Sequence, residues 1–323
     1  MNSAAALIPV ILLILCGWGI AKLGWISQEH TAGVANLVFL VLLPALMFRS
    51  MAQVHFADVD YFPIFIYLGV AEFVFLCVAF ALKWTPRSYV IGLSCIFSNH
   101  MMVGVPLVTL AYGSQALVTL ITLVTIHALV LLGLATVFLE WRVARDEAAQ
   151  KASGEVKSLS SFKSIYRVLK KTIYRAIVHP IILPIIGGLL WSLTGWKLPQ
   201  AIDTVLAMLG QANGPVSLIL VGTMLAYTRV NKNLLRRSMV IGLVKNLVFP
   251  VLVFAACWLG GVRGMPLAVL TVCAALPIGN NVYLFSMRYR QEEELITASV
   301  ALTTFASIFT LAMVMIMLDV WVL

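Results

Sequence analysis

The sequence predicts an all-α polytopic membrane protein: ten transmembrane helices in two inverted five-helix repeats, with helices 4 and 9 broken near mid-membrane. Three observations predict it: the composition, the placement of basic residues, and a matched pair of Pro- and Asn-bearing interruptions. Of the 323 residues, 62% are hydrophobic and 11% charged, and the mean hydropathy is +1.01. A soluble domain holds about 45–50% apolar and about 25% charged residues, so that class is excluded, as are disordered, collagen-like and disulfide-framework chains. The five cysteines, Cys16, Cys77, Cys95, Cys257 and Cys273, all lie in apolar runs without metal-type or redox-type spacing.

A span needs about 20 apolar residues to cross roughly 30 Å of hydrocarbon. Such runs fall at 4–23, 32–51, 61–82, 88–112, 115–140, 177–195, 201–227, 239–260, 266–287 and 295–320. The first has no Lys or Arg before Lys22 and no small residue ahead of Cys16, so it reads as a true span with its N-terminus outside. Loops after the odd-numbered spans carry 18 Lys and Arg; the opposite side has Arg49, Lys197 and Arg263. This asymmetry places both termini outside and the polar 141–175 segment in the cytoplasm. It also accounts for the net charge of +9 without a nucleic-acid partner. Within 141–175, Phe162, Ile165, Tyr166, Leu169 and Ile173 recur at helical spacing between basic residues, predicting an amphipathic helix on the inner leaflet.

The organisation expected is 1–140 as the first repeat, 141–175 as linker and 176–323 as the second repeat. At an offset of 171, Pro9, Gly17, Gly24-Trp25, Pro44, Pro106 and Tyr112 meet Pro180, Gly188, Gly195-Trp196, Pro215, Pro277 and Tyr283. Five spans per unit turn the second unit upside down, the plan of secondary transporters. Span 4 reads Ser98-Asn99-His100-Met101-Met102-Val103-Gly104-Val105-Pro106, and span 9 reads Leu276-Pro277-Ile278-Gly279-Asn280-Asn281-Val282-Tyr283. Both place Pro, Gly and Asn where a continuous helix would run. Proline removes a donor, and the freed groups are tolerated only against protein or a wet cavity. Helix N-termini at such breaks attract a carboxylate, and carbonyls at the C-terminal ends suit a cation.

These paired motifs, with ten spans and a polar central loop, resemble the auxin efflux carrier family. The resemblance implies that spans 1, 2, 6 and 7 form a scaffold, dimerising in many members, and that spans 3–5 and 8–10 form the moving part, with the broken helices 4 and 9 crossing at mid-membrane. It implies an organic-anion substrate, a dicarboxylate such as malonate in the bacterial type or an auxin-like carboxylate in the plant type. The short central loop favours the bacterial type, hence a bacterial inner membrane with periplasmic termini. The substrate-binding residues expected are Asn99, His100, Gly104, Pro106, Gln211, Asn213, Pro277, Asn280, Asn281 and Tyr283. Glu72 in span 3 and Lys245 in span 8 are intramembrane charges. They read as a coupling pair for Na+ or H+, as a static pair, or as Lys245 snorkelling to the cytoplasm. No other cofactor and no metal site is expected. No nucleotide-binding, HExxH or GxSxG motif occurs, so the chain is read as a non-enzyme. A transporter-like sensor of a small organic acid is the alternative.

Overall fold

A computed structural model describes residues 7–53, 60–127, 182–227 and 234–322. Their helices are α1 (Leu7–Lys22), α2 (Gln28–Ala52), α3 (Phe62–Ala81), α4 (Pro86–Ile96), α5 (His100–Gly113), α6 (115–127), α7 (Ile182–Leu193), α8 (Gln200–Tyr227), α9 (Leu235–Leu259), α10 (Gly264–Ala275), α11 (Asn280–Tyr289) and α12 (Glu293–Trp321). Five of these, α2, α3, α8, α9 and α12, are long and apolar enough to cross a membrane. The linker 141–175 and its amphipathic helix lie outside the described residues.

Local chemistry sets the boundaries. Gly24 and Gly195 follow α1 and α7 at φ 76° and 70°, the left-handed conformation that glycine adopts without a Cβ clash. Gly113, at φ 78° and ψ −175°, separates α5 from α6 at the predicted end of span 4. Ser27 caps α2 by accepting a 3.3 Å hydrogen bond from the His30 N–H. Exposed Trp25, Trp84, Trp196, Trp258 and Trp321 sit at or beyond helix ends, where an interfacial aromatic belt belongs.

Three π-helical turns interrupt the helices, at Val38–Leu42 in α2, His100–Gly104 in α5 and Val244–Val248 in α9. Each is followed directly by a residue–proline pair, Leu43-Pro44, Val105-Pro106 and Phe249-Pro250. Proline cannot donate to the carbonyl four residues back and its ring crowds that carbonyl. The wider turn relieves both problems, and the residue before each proline donates five residues back: Leu43 to Val38, Val105 to His100 and Phe249 to Val244. Pro215 in α8 has no such turn.

The helices pack in two groups. In one, α1 lies along α8, α2 lies along α7, and α2 touches α8. Glycines make the approach close: a Cβ on Gly17 of α1 would overlap the Ile219 carbonyl of α8, and one on Gly188 of α7 would overlap the Phe48 carbonyl of α2. Gly17 and Gly188 are 171 apart, and so are Phe48 and Ile219, so each contact repeats the other with the halves exchanged. In the other group α3, α4, α5, α6, α9, α10, α11 and α12 pack together. Ser88–Ile96 of α4 and Leu267–Ala275 of α10 are buried without exception, as expected of helices apolar on all sides at a group's centre. The groups meet largely where α8 touches α5.

Gly222 of α8 abuts the Ile14 carbonyl of α1. We expect Gly222→Ala to destabilise the protein by about 1–3 kcal/mol through overpacking. Gly19→Ala, which meets nothing within 4 Å, leaves stability unchanged. Thermal unfolding of both variants in detergent checks this.

Candidate substrate site at the crossing of two broken helices

After Ile96 and after Ala275 the chain leaves helical geometry, with Phe97 at ψ 106° and Leu276 at ψ 153°. The two extended stretches lie antiparallel and form one bridge, Ser98 with Ile278. The Asn99 N–H donates to the Pro277 carbonyl at 2.8 Å and the Gly279 N–H to the Phe97 carbonyl at 2.9 Å. Each break thus supplies the partners that the other lacks, which is what burial away from water demands.

The remaining groups are met by side chains. In a continuous helix the Ile278 N–H would donate to Ala274; here it donates to Thr303 Oγ1 of α12 at 3.3 Å. The carbonyls of Ala274 and Leu276 instead accept from Lys245 Nζ at 2.6 and 2.7 Å. Asn246 Nδ2 donates to the Thr303 carbonyl at 3.1 Å. Both Lys245 and Asn246 are buried and come from the π turn of α9. At the other break the His127 ring of α6 packs against Phe97, with 4.8 Å between ring centroids. The Asn99 side chain caps α5, its Oδ1 accepting from the Met102 N–H at 3.3 Å. His100, His127 and Tyr67 form a buried cluster beside this cap: the two imidazole centroids are 4.9 Å apart, and His100 Nε2 lies 3.5 Å from Tyr67 Oη.

The crossing brings together Asn99, His100, Gly104, Pro277 and Lys245; a Cβ on Gly104 would come within 2.7 Å of Leu276 Cδ1. Asn213 is fully buried in α8, accepts from Ser217 Oγ at 3.1 Å, and leaves its Nδ2 without a partner. Its neighbour Gly214 faces Pro106, with 3.8 Å from a built Cβ to the proline Cβ. Asn281 and Tyr283 are half-buried in the first turn of α11. Asn280 begins α11, and its side chain lies outside what is described.

Three expectations need correction. Pro106 is not at the break: the bridge sets residues 97–99 against 277–279, an offset of 180, and Pro106 lies beyond it, forming the π turn of α5. The offset of 171 holds for the glycine contacts of the other group and lapses here, so the Pro106–Pro277 and Tyr112–Tyr283 matches are not structural equivalents. Gln211 is exposed, because two helical residues turn it about 200° from buried Asn213. Glu72 and Lys245 form no ion pair. Tyr67 is the α3 residue that packs on Phe249, next to Lys245, at 5.4 Å between centroids. Glu72 is five residues further and about 140° round the helix, half-buried. Thr303, Asn246, Tyr67 and His127 were missed as contributors to the crossing. Their signal was a polar atom in mid-span, which does not name its partner.

Residues 3–315 match the family described as Membrane transport protein. The chain belongs to this family, that of the auxin efflux carriers. It is 20% identical to "Auxin efflux carrier component 8" of Arabidopsis thaliana, covering 93% of this chain and 92% of that one. It is 25% identical to "Lysosomal cholesterol signaling protein" of Mus musculus over 94% of this chain, spanning 36% of the mouse protein's length. It is 30% identical to "Putative malonate transporter" of Rhizobium meliloti (strain 1021) over 42% of each chain.

Thr303→Val removes the acceptor for the buried Ile278 N–H. We expect a loss of about 1–3 kcal/mol. Thr304→Val, whose hydroxyl bonds only to its own helix at Val300, should cost less than Thr303→Val. Comparative thermal unfolding distinguishes the two positions.

Proposed function

We propose that this transporter is a secondary carrier that moves a small organic anion, a dicarboxylate such as malonate or an auxin-like carboxylate, by alternating access. The crossing carries the proposal. Helices α5 and α11 both begin within two residues of the Ser98–Ile278 bridge, so two positive helix N-termini meet in one place. Beside them stands the ammonium of Lys245, the only fully buried Lys, Arg, Asp or Glu among the described residues. A site with two N-terminal dipoles, a buried cation and no buried carboxylate favours a guest that brings negative charge.

The exchange-related glycine contacts, Gly17 with Ile219 and Gly188 with Phe48, support two inverted five-span repeats. The two packing groups support a scaffold of spans 1, 2, 6 and 7 and a transport unit of spans 3–5 and 8–10. The names of the Arabidopsis and Rhizobium relatives support the two carboxylate classes. The same reading puts the protein in a bacterial inner membrane with periplasmic termini, as a homodimer through its scaffold helices.

Thermal stabilisation by a panel of small acids tests the substrate class. A ligand at 100 times its Kd stabilises the native state by about 2.7 kcal/mol, enough to raise the melting temperature measurably. Malonate or an indole carboxylate should do so, and uptake into proteoliposomes should follow. A sensor of a small organic acid is the second reading, favoured by the name of the mouse relative; it predicts binding without uptake. Asn281→Ala should weaken acid binding at least about tenfold while leaving the unliganded melting temperature in place. Unchanged affinity removes Asn281 from the site.

A further inference from the structure

We propose that Lys245 is a tethered cation: its ammonium fills, at the broken end of α10, the position a dissociable metal cation would take, so the site accepts its anion without sodium. The sodium-independence of transport rests on the carrier reading above, whereas the cation position is tested without it.

The carbonyl accounting leads there. The break diverts the Ile278 N–H to Thr303 and the Gly279 N–H to Phe97, so the carbonyls of Ala274 and Ala275 lose their helical donors, and Leu276 lies just past the end of α10. Bare carbonyls at the negative end of a helix are the ligands with which broken-helix transporters hold sodium. Here Lys245 Nζ lies 2.6 Å from the Ala274 oxygen and 2.7 Å from the Leu276 oxygen. The ring of Phe249 lies 5.3 Å from Nζ and adds a cation–π contact. Lys245 is 0% exposed, so its amine does not reach water, and among the described residues it pairs with no carboxylate. An ammonium buried in this way is compensated by carbonyl oxygens, the Phe249 ring and the dipole of α10. Both hydrogen bonds of Lys245 go to the end of α10, so the lysine cap belongs to one of the two broken ends. The π turn of α9, placed by Pro250, brings Lys245 to this position.

The test compares thermal unfolding of the purified full chain in sodium chloride, choline chloride and methylammonium chloride at equal ionic strength. The wild type should melt at the same temperature in sodium and in choline, and acid-induced stabilisation should be equal in both. Lys245→Ala should melt roughly 5 °C or more lower in choline. Sodium or methylammonium should recover at least about half of that loss, because each supplies a cation small enough for the vacated space. Lys245→Met refills the space without charge and should melt low in all three salts.

Sodium-specific stabilisation of the wild type, or a sodium requirement for acid binding, overturns the proposal. So does a Lys245→Ala protein indifferent to both small cations. If that variant is obtained folded only with sodium or methylammonium present, that is itself the rescue; if it is obtained in neither, the wild-type comparison decides. Failure of every acid to bind would count against the carrier reading and leave the salt comparison intact.

Discussion

Every backbone N–H and C=O inside a hydrocarbon layer needs a partner from the protein, and the crossing is built around that demand. Two helices stop at Ile96 and Ala275, and each stop releases groups that water cannot satisfy. The antiparallel bridge settles one donor and one acceptor from each chain segment. Thr303, Asn246, Lys245 and Asn99 take further shares, from α12, α9 and the start of α5. These side chains are buried because their partners are buried. The break therefore organises the whole second packing group, and α4 and α10 lie at its centre with every residue from Ser88 to Ile96 and from Leu267 to Ala275 enclosed.

The two groups differ in what holds them. The α1, α2, α7 and α8 group relies on glycine contacts in which backbone meets backbone, a geometry that leaves no room for a methyl group and gains dispersion contacts along the whole helix pair. The second group relies on polar accounting at the crossing and on Pro-linked π turns. One of those turns lets consecutive residues, Lys245 and Asn246, both point inward. Between the groups, Gly214 against Pro106 is a lighter contact at ordinary van der Waals distance. The proposed alternating access would use this division between a close-packed unit and a unit assembled around a broken-helix site.

Charge at the crossing follows from the same geometry. A lysine buried without an acid is costly, and the free carbonyls at the end of α10 offset that cost. Glu72, on another face of α3, leaves this charge uncompensated. The membrane transporter therefore concentrates positive potential where its two broken helices meet, from one ammonium and two helix starts.

Composition and hydropathy made the membrane class legible, because spanning hydrocarbon requires about 20 apolar residues whatever the fold. The Pro, Gly and Asn runs at 98–106 and 276–283 marked the interrupted spans, since helix breaking is a local property of those residues. Tertiary structure decided the rest. Pro106 looked like the break and proved to form a π turn, because proline has both effects and only the partner strand shows which one operates. Gln211 and Asn213 looked alike until helical phase separated them. Lys245 looked like the partner of Glu72 until the diverted N–H of Ile278 and the end of α10 at Ala275 left it the carbonyls of Ala274 and Leu276. A polar side chain's need for a partner is written in the sequence, but the identity of that partner depends on which backbone groups other segments have already claimed.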